Sequence, residues 1–152
     1  MARILKDYPS VSLRPEDLDG KIGFVRIFGR AGPVHIEIGT GKAAFLLNQA
    51  LAQPDDNFLG IERAGRYYRY AVDRIGRWGL SNVRLIRTDA AIFLADFVPD
   101  NSTDCLHIYF PDPWPKKRHH YYPRGGSSSS SAWRNRNESI NDPWTTLELQ
   151  LC

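Results

Sequence analysis

Short apolar runs alternate with helix-forming segments between residues 34 and 110 of this chain. Four runs have the length and composition of buried strands, and a glycine or an acidic residue closely follows each of them. Three segments between them have helix-forming composition. The predicted strands are 34–38, 58–62, 83–87 and 104–110, and the predicted helices are 42–52, 65–78 and 90–97. Since strands and helices joined in this order favour right-handed crossovers, the sequence predicts an α/β fold whose parallel sheet carries helices on both faces.

The two ends of the chain lack this alternation. Residues 1–33 are interrupted by proline and glycine, and only 22–28 are expected to form a short element. Near the other end, the serine run at 127–131 has the composition of a flexible linker, and only 144–151 are expected to add a short element. We therefore predict three parts, namely an N-terminal arm (1–33), a core (34–120) and a serine-rich tail (121–152).

Bulk composition limits the class of protein. The 152 residues carry a net charge of +3 and a pI near 9.0, a mild basic excess that is weak support for a polyanionic partner. No run approaches the roughly 20 apolar residues that span a bilayer, and the polar N-terminal segment does not resemble a signal peptide. Cys105 and Cys152 show neither metal-ligand spacing nor a disulfide framework. We expect a cytoplasmic protein without a membrane partner or metal site, either monomeric or homodimeric.

Acidic residues and a glycine turn follow the predicted strand ends. Ligands of open parallel α/β sheets bind beyond the carboxyl ends of the strands. A single acid at such a place is equally well explained as the cap of the next helix. Four acids at successive strand ends instead predict one ligand cleft. The candidate residues of this cleft are Glu37, Gly39, Gly41, Glu62, Asp89, Ala90 and Asp112.

The acids also bear on which ligand the cleft holds. Glu62 is placed to accept hydrogen bonds from two ribose hydroxyls, which NAD and S-adenosylmethionine both present. Glu37 directly precedes the glycine turn, where it would repel a pyrophosphate but suit an ammonium or sulfonium group. S-adenosylmethionine carries both of those cations, so Glu37 favours it. Asp89 could then accept from the adenine amino group, with the Ala90 amide opposite a ring nitrogen.

Residues 110–120, with the sequence FPDPWPKKRHH, hold the most specific pattern in the chain. Prolines on both sides of Asp112 restrict the backbone there, which suggests a carboxylate held for positioning. Trp114 offers a flat apolar wall. A basic run alone is typical of a solvated loop, but joined to the Asp112 motif it predicts contact with RNA phosphates. The residues predicted to contact RNA are Lys116, Lys117, Arg118 and His119.

In their order, the motifs EIGTGK, GIE, DA and FPDPWPKKRH resemble those of the bacterial tRNA (guanine-N7-)-methyltransferases. The resemblance covers about residues 34–120 and implies a Rossmann-like class I methyltransferase. The implied reaction transfers a methyl group from S-adenosylmethionine to N7 of guanine 46 in tRNA. By motif position, the cofactor-binding acids of the family fall on Glu37, Glu62, Asp89 and Asp112. Its active-site aspartate is also Asp112, its substrate-contacting lysine is Lys116, and its tRNA-contacting segment starts at Arg118.

Two features depart from the family pattern. Ala43 replaces the third glycine of the turn, which is a tolerable change. After His120 the family continues into three more strands with Thr-Asp and Thr-x-Phe-Glu motifs that are absent here. We therefore expect a truncated or frame-shifted family member whose strand at 104–110 is an exposed, aggregation-prone edge.

Two alternative functions remain open at this point. One is an inactive remnant that binds the cofactor or RNA without turnover. The other is an NAD-dependent oxidoreductase that uses the same glycine turn.

Overall fold

A computed structural model of the chain describes residues 3–109 and 148–152. The strands are β1 (Ser12–Leu13), β2 (Val34–Ile38), β3 (Asn57–Ile61), β4 (Val83–Ile86), β5 (Cys105–Tyr109) and β6 (Glu148–Leu151). The helices are α1 (Phe24–Phe28), α2 (Ala44–Ala52), α3 (Gly65–Trp78) and α4 (Ala90–Phe97), with a 3-10 turn at Pro15–Asp17. Among these residues, no helix has both the length and the apolar character needed to cross a membrane.

The strands form one sheet in the order β1-β4-β3-β2-β5-β6. All neighbouring pairs are parallel except β5 and β6, which are antiparallel. The predicted α/β fold is confirmed, and each predicted strand and helix of the core is found within two residues of its expected bounds. The central strands were predictable because both of their faces are covered, which requires nearly continuous apolar sequence.

Two apolar clusters cover the two faces of the sheet. One places Leu46 of α2 and Ile75 of α3 against Phe58, and the other places Phe28 of α1 and Phe93 of α4 on the opposite face. Side chains of a strand alternate between faces, so Phe58 and its neighbour Leu59 enter different clusters. Helices therefore cover both faces, as the sequence predicted.

The segment predicted as an N-terminal arm contributes to the sheet. Its strand β1 pairs with β4, where Ser12 is opposite Leu85. Val11, Phe24 and Phe28 are buried. The short element expected at 22–28 is confirmed as α1. A strand of two residues is too short to leave a periodic signal in the sequence, which explains why β1 was not predicted.

The far end of the chain corrects two expectations. The short element expected at 144–151 is confirmed as β6, and it pairs with β5 so that Leu106 is opposite Leu151. The expectation that this strand would be an exposed edge is therefore wrong. The same register brings Cys105 and Cys152 together, and a disulfide joins them, so the expectation of no disulfide is also wrong. Their separation of 47 residues gives no local signal of this pairing.

Candidate cofactor-binding site

The predicted glycine turn lies between β2 and α2. Gly39 and Gly41 have φ angles of 74° and 55°, a left-handed conformation that glycine adopts without a steric penalty. The Gly39 amide donates to the Ile61 carbonyl at 2.8 Å, which ties the turn to the end of β3. The first residue flanking α2, Ala43, gives that helix no side-chain cap. The turn therefore presents backbone amides of a helix N-terminus, a favourable surface for ligand oxygens.

Glu62 follows β3 directly and is only 8% exposed. One carboxylate oxygen accepts from the Gly41 amide and the other from the Ala64 amide, both at 2.8 Å. This carboxylate therefore fixes the glycine turn to the start of α3, a role that the sequence did not predict. Each of its oxygens can accept a second hydrogen bond, so the predicted contact with ribose hydroxyls remains compatible with these amide bonds.

Glu37 is a buried acid of the cleft whose pKa is shifted far from its ordinary value. Its side chain lies in β2 and is 3% exposed, and burial, together with repulsion from Glu62, raises its pKa to about 8. Within the described residues, its Oε2 atom has no hydrogen-bond partner. A buried carboxyl oxygen without a partner is costly, and such atoms are rare outside functional sites.

A second orphaned polar atom belongs to Thr40, three residues after Glu37. Its hydroxyl oxygen is buried and also lacks a hydrogen-bond partner in the described part of the chain. Thr40 was not among the predicted site residues, although a hydroxyl inside a glycine turn at a strand end is a usable signal. Two unsatisfied polar atoms at one strand end indicate a place where a polar ligand group can bind.

Asp89 caps a helix, which is the alternative to ligand binding for an acid at a strand end. Its Oδ1 atom accepts from the amides of Ala91 and Ile92 at 3.0 and 3.3 Å, which caps α4. Its Oδ2 atom lies 3.6 Å from Nη1 of the exposed Arg63. Ala90 begins α4 beside it. The capping bonds use one oxygen, and the other forms the ion pair with Arg63.

The sheet brings the predicted acids to one edge. β2, β3 and β4 are adjacent and parallel, so Glu37, Glu62 and Asp89 lie at or just beyond neighbouring carboxyl ends. The remaining predicted site residues lie outside the described residues. These are Asp112, Lys116, Lys117, Arg118 and His119.

Comparison with known proteins decides the family. A family model described as "Putative methyltransferase" matches residues 31–122. The chain belongs to this methyltransferase family. The resemblance predicted from the motifs is confirmed.

Individual relatives agree with this assignment. The chain is 40% identical over 115 residues to the tRNA (guanine-N(7)-)-methyltransferase of Streptococcus thermophilus (strain CNRZ 1066). The aligned region is 75% of this chain and 53% of that protein. The chain is 41% identical over 104 residues to the protein of the same name from Streptococcus suis (strain 05ZYH33), covering 68% and 48%. The chain thus spans about half the length of the curated relatives it matches.

Solved structures include partial matches. The crystal structure of precorrin-6y C5,15-methyltransferase from Geobacter metallireducens GS-15 matches with a TM-score of 0.45 and 15% identity, over 70% of this chain and 74% of that one. A SAM-dependent methyltransferase from Aquifex aeolicus matches with a TM-score of 0.40 and 16% identity, over 66% of each chain.

Proposed function

We propose that this chain transfers a methyl group from S-adenosylmethionine to N7 of guanine 46 in tRNA. The observation that carries the proposal is the buried Glu37 carboxyl, which has an orphaned oxygen at the strand end beside the glycine turn. The names of the family's relatives support the RNA substrate. Residues 34–120 form the functional core in this proposal, and 121–152 are a tail outside the family pattern. An enzyme of tRNA works in the cytoplasm, where we place this chain.

The described residues fit S-adenosylmethionine. Glu37 and Glu62 put two buried acids beside the glycine turn, and their mutual repulsion contributes to the raised pKa of Glu37. A cationic ligand group would relieve that repulsion, whereas a pyrophosphate would increase it. Glu37 and Thr40 would hold the amino-acid part of the cofactor, Glu62 the ribose, and Asp89 with Ala90 the adenine. When bound, the cofactor supplies an electrophilic methyl group on a sulfonium.

The chain's own residues then need only to position the two reactants and to stabilise the charge that develops on the guanine. Guanine N7 has a free lone pair, so no general base is required and alignment of the reactants dominates the rate. Asp112 is separated from the end of β5 by only two residues in the sequence, and two prolines flank it. In the proposal, its carboxylate stabilises the positive charge that develops on the guanine ring. Lys116, Lys117, Arg118 and His119 hold the RNA backbone.

A methyl-transfer assay on the full chain tests the proposal and separates it from an inactive remnant. The substrates are an unmodified tRNA transcript with guanine at position 46 and a matched transcript with adenine there, both given S-adenosylmethionine with a labelled methyl group. We expect label only in the first transcript, recovered as N7-methylguanosine, because the proposed reaction acts on the guanine at that position and the second transcript has none there. Equal labelling of both transcripts, or none in either by a chain that binds the cofactor, would contradict the proposal.

A further inference from the structure

A second polar cluster lies on the face of the sheet where Phe45 of α2 contacts His107, next to Glu37, which is opposite His107 in the strand register. It consists of His35 on β2 and Cys105 and His107 on β5. Each residue offers one atom that could bind a metal, and these three atoms all lie within 4.8 Å of one another. The cluster comes from two parallel neighbouring strands, where Cys105 is directly opposite His35. Cys105 and His107 are buried and His35 is half-buried.

The nitrogen atoms of the two imidazoles have a specific arrangement. His35 Nδ1 and His107 Nε2 face each other at 3.0 Å. The outer nitrogen of His35 lies 3.2 Å from an Asp56 carboxylate oxygen, and that of His107 lies 3.2 Å from the Tyr109 hydroxyl. Metal-binding histidines usually donate their second ring N–H to a carboxylate or another oxygen, which fixes the ring and leaves the other nitrogen for the metal. Both rings of the cluster have such an outer partner.

The surroundings suit a metal with borderline-soft ligands. Phe58 lies against His35 and Phe45 against His107, with ring centroids 4.8 and 5.0 Å apart, so apolar side chains cover part of the pair. Two imidazoles and one thiolate are ligands that favour Zn²⁺ over Mg²⁺ or Ca²⁺. Zinc–nitrogen and zinc–sulfur bond lengths place the ligand atoms of a tetrahedral site roughly 3.3–3.8 Å apart. The present separations of 3.0 Å and at most 4.8 Å require only small side-chain shifts to reach that geometry.

The disulfide between Cys105 and Cys152 bears directly on this cluster. A disulfide sulfur has no thiolate charge, so Cys105 can bind a metal only after reduction. A thiol or phosphine reductant supplies two electrons, and with two protons the disulfide becomes two thiols. Zn²⁺ then replaces the proton of the Cys105 thiol, and that proton is released to solvent. Disulfide formation and metal binding therefore exclude each other at Cys105.

We propose that His35, His107 and Cys105 form a zinc site in the reduced chain, and that the Cys105–Cys152 disulfide is the metal-free alternative of the same site. The competing explanation is a hydrogen-bonded chain from Tyr109 through His107 and His35 to Asp56, with no metal. In that case Cys105 is not needed, and the histidines bind metal weakly. The proposal does not depend on the methyl-transfer activity.

Cobalt binding to the full-length, untagged chain tests the site, because a thiolate bound to Co²⁺ gives a charge-transfer absorption. The protein is reduced with a phosphine, freed of metal with a chelator and titrated with Co²⁺ and then Zn²⁺. We expect one Co²⁺ per chain with the thiolate band, displaced by one Zn²⁺, both for the reduced wild type and for Cys152→Ser. The oxidised wild type should lack the band. Absence of the band in a folded Cys152→Ser chain, judged by circular dichroism, would overturn the proposal.

Substitutions in the Cys152→Ser background identify the ligands. Asp56→Asn removes a hydrogen-bonding partner of a ligand and should weaken Zn²⁺ binding by roughly 10–100-fold. His35→Asn and His107→Asn each remove a ligand and should weaken Zn²⁺ binding by at least as much. Asp55→Asn is the matched control, since the neighbouring carboxylate is exposed and should leave the affinity unchanged. Gln variants at the two histidines replace any Asn variant that loses its circular dichroism signal. Unchanged affinity in a folded His35 or His107 variant would overturn the assignment.

Discussion

Replacement of Asp112 by alanine is expected to lower methyl transfer to tRNA by roughly 100–1,000-fold, the usual cost of removing one group that stabilises charge in a transition state. In the proposed reaction, positive charge would develop on the guanine ring, and the Asp112 carboxylate is the acid that we assign to that charge. Single-turnover rates at saturating cofactor and tRNA measure the effect without interference from binding. Equal rates for the wild type and Asp112→Ala would rule out this role.

Lys116→Ala provides the contrast for the Asp112 variant. Lys116 is assigned to an RNA phosphate, so its loss should weaken tRNA binding and reduce the salt dependence of binding by about one ion. Turnover should recover when the tRNA concentration is raised. A loss of turnover that persists at saturating tRNA would instead move Lys116 into the reacting centre.

Replacement of Glu37 by glutamine is expected to have two opposite effects. Affinity for S-adenosylmethionine should fall by about 100-fold or more, because the buried cationic group of the ligand would lose its charged partner. The ligand-free chain should at the same time become more stable at high pH. Titration calorimetry with the cofactor measures the first effect, and denaturant unfolding without the cofactor measures the second.

The stability effect follows from the direction of the pKa shift of Glu37. The folded-state pKa is about 8 and the ordinary value is 4.5, so the folded chain holds a proton between those values that the unfolded chain has lost. The wild-type free energy of unfolding should therefore fall as the pH rises from about 5 to 8, at up to about 1.4 kcal/mol for each pH unit. Glutamine cannot ionise, so Glu37→Gln should be close to wild type near pH 5 and more stable by a few kcal/mol near pH 8.5.

Glu62→Gln is the matched control for this measurement. Both Glu62 oxygens accept backbone amides, and a glutamine offers only one oxygen for them. This variant should be destabilised by about 1–3 kcal/mol near pH 5. Near pH 8.5 the loss should be smaller, because removing the Glu62 charge also removes the repulsion that helps to raise the pKa of Glu37. If Glu37→Gln were less stable than the wild type at pH 8.5, the ionised Glu37 carboxylate would not destabilise the ligand-free chain, and the proposed role of Glu37 would be wrong.

The sequence predicted the central elements because burial on both faces forces apolar strands, while the helices have strong residue preferences. The edge strands β1 and β6 are short, and each is held by one neighbour, so their pairing was not predictable. Cys105 and His107 are two residues apart on β5, and His35 meets them only through the register of β2 and β5, across 70 residues or more of sequence. The two residues on β5 alone do not form a recognisable metal-ligand motif.

The site was predictable in outline for a similar reason. Parallel strands must end at the same edge of a sheet, which places Glu37, Glu62 and Asp89 together. The sequence could not predict which acids bond to the protein itself. Asp89 caps α4 and Glu62 holds the glycine turn, whereas Glu37 has an orphaned oxygen among the described residues.

The identity of the bound cofactor depends on the two buried acids of the cleft, which should select a cationic adenosine ligand over a pyrophosphate. Titration calorimetry of the full chain with S-adenosylmethionine and, separately, with NAD compares the two on the same protein. We expect one S-adenosylmethionine bound per chain and NAD bound at least about 100-fold more weakly, because a like charge would replace a buried ion pair. Binding of NAD with equal or higher affinity, or no binding of S-adenosylmethionine, would contradict this expectation.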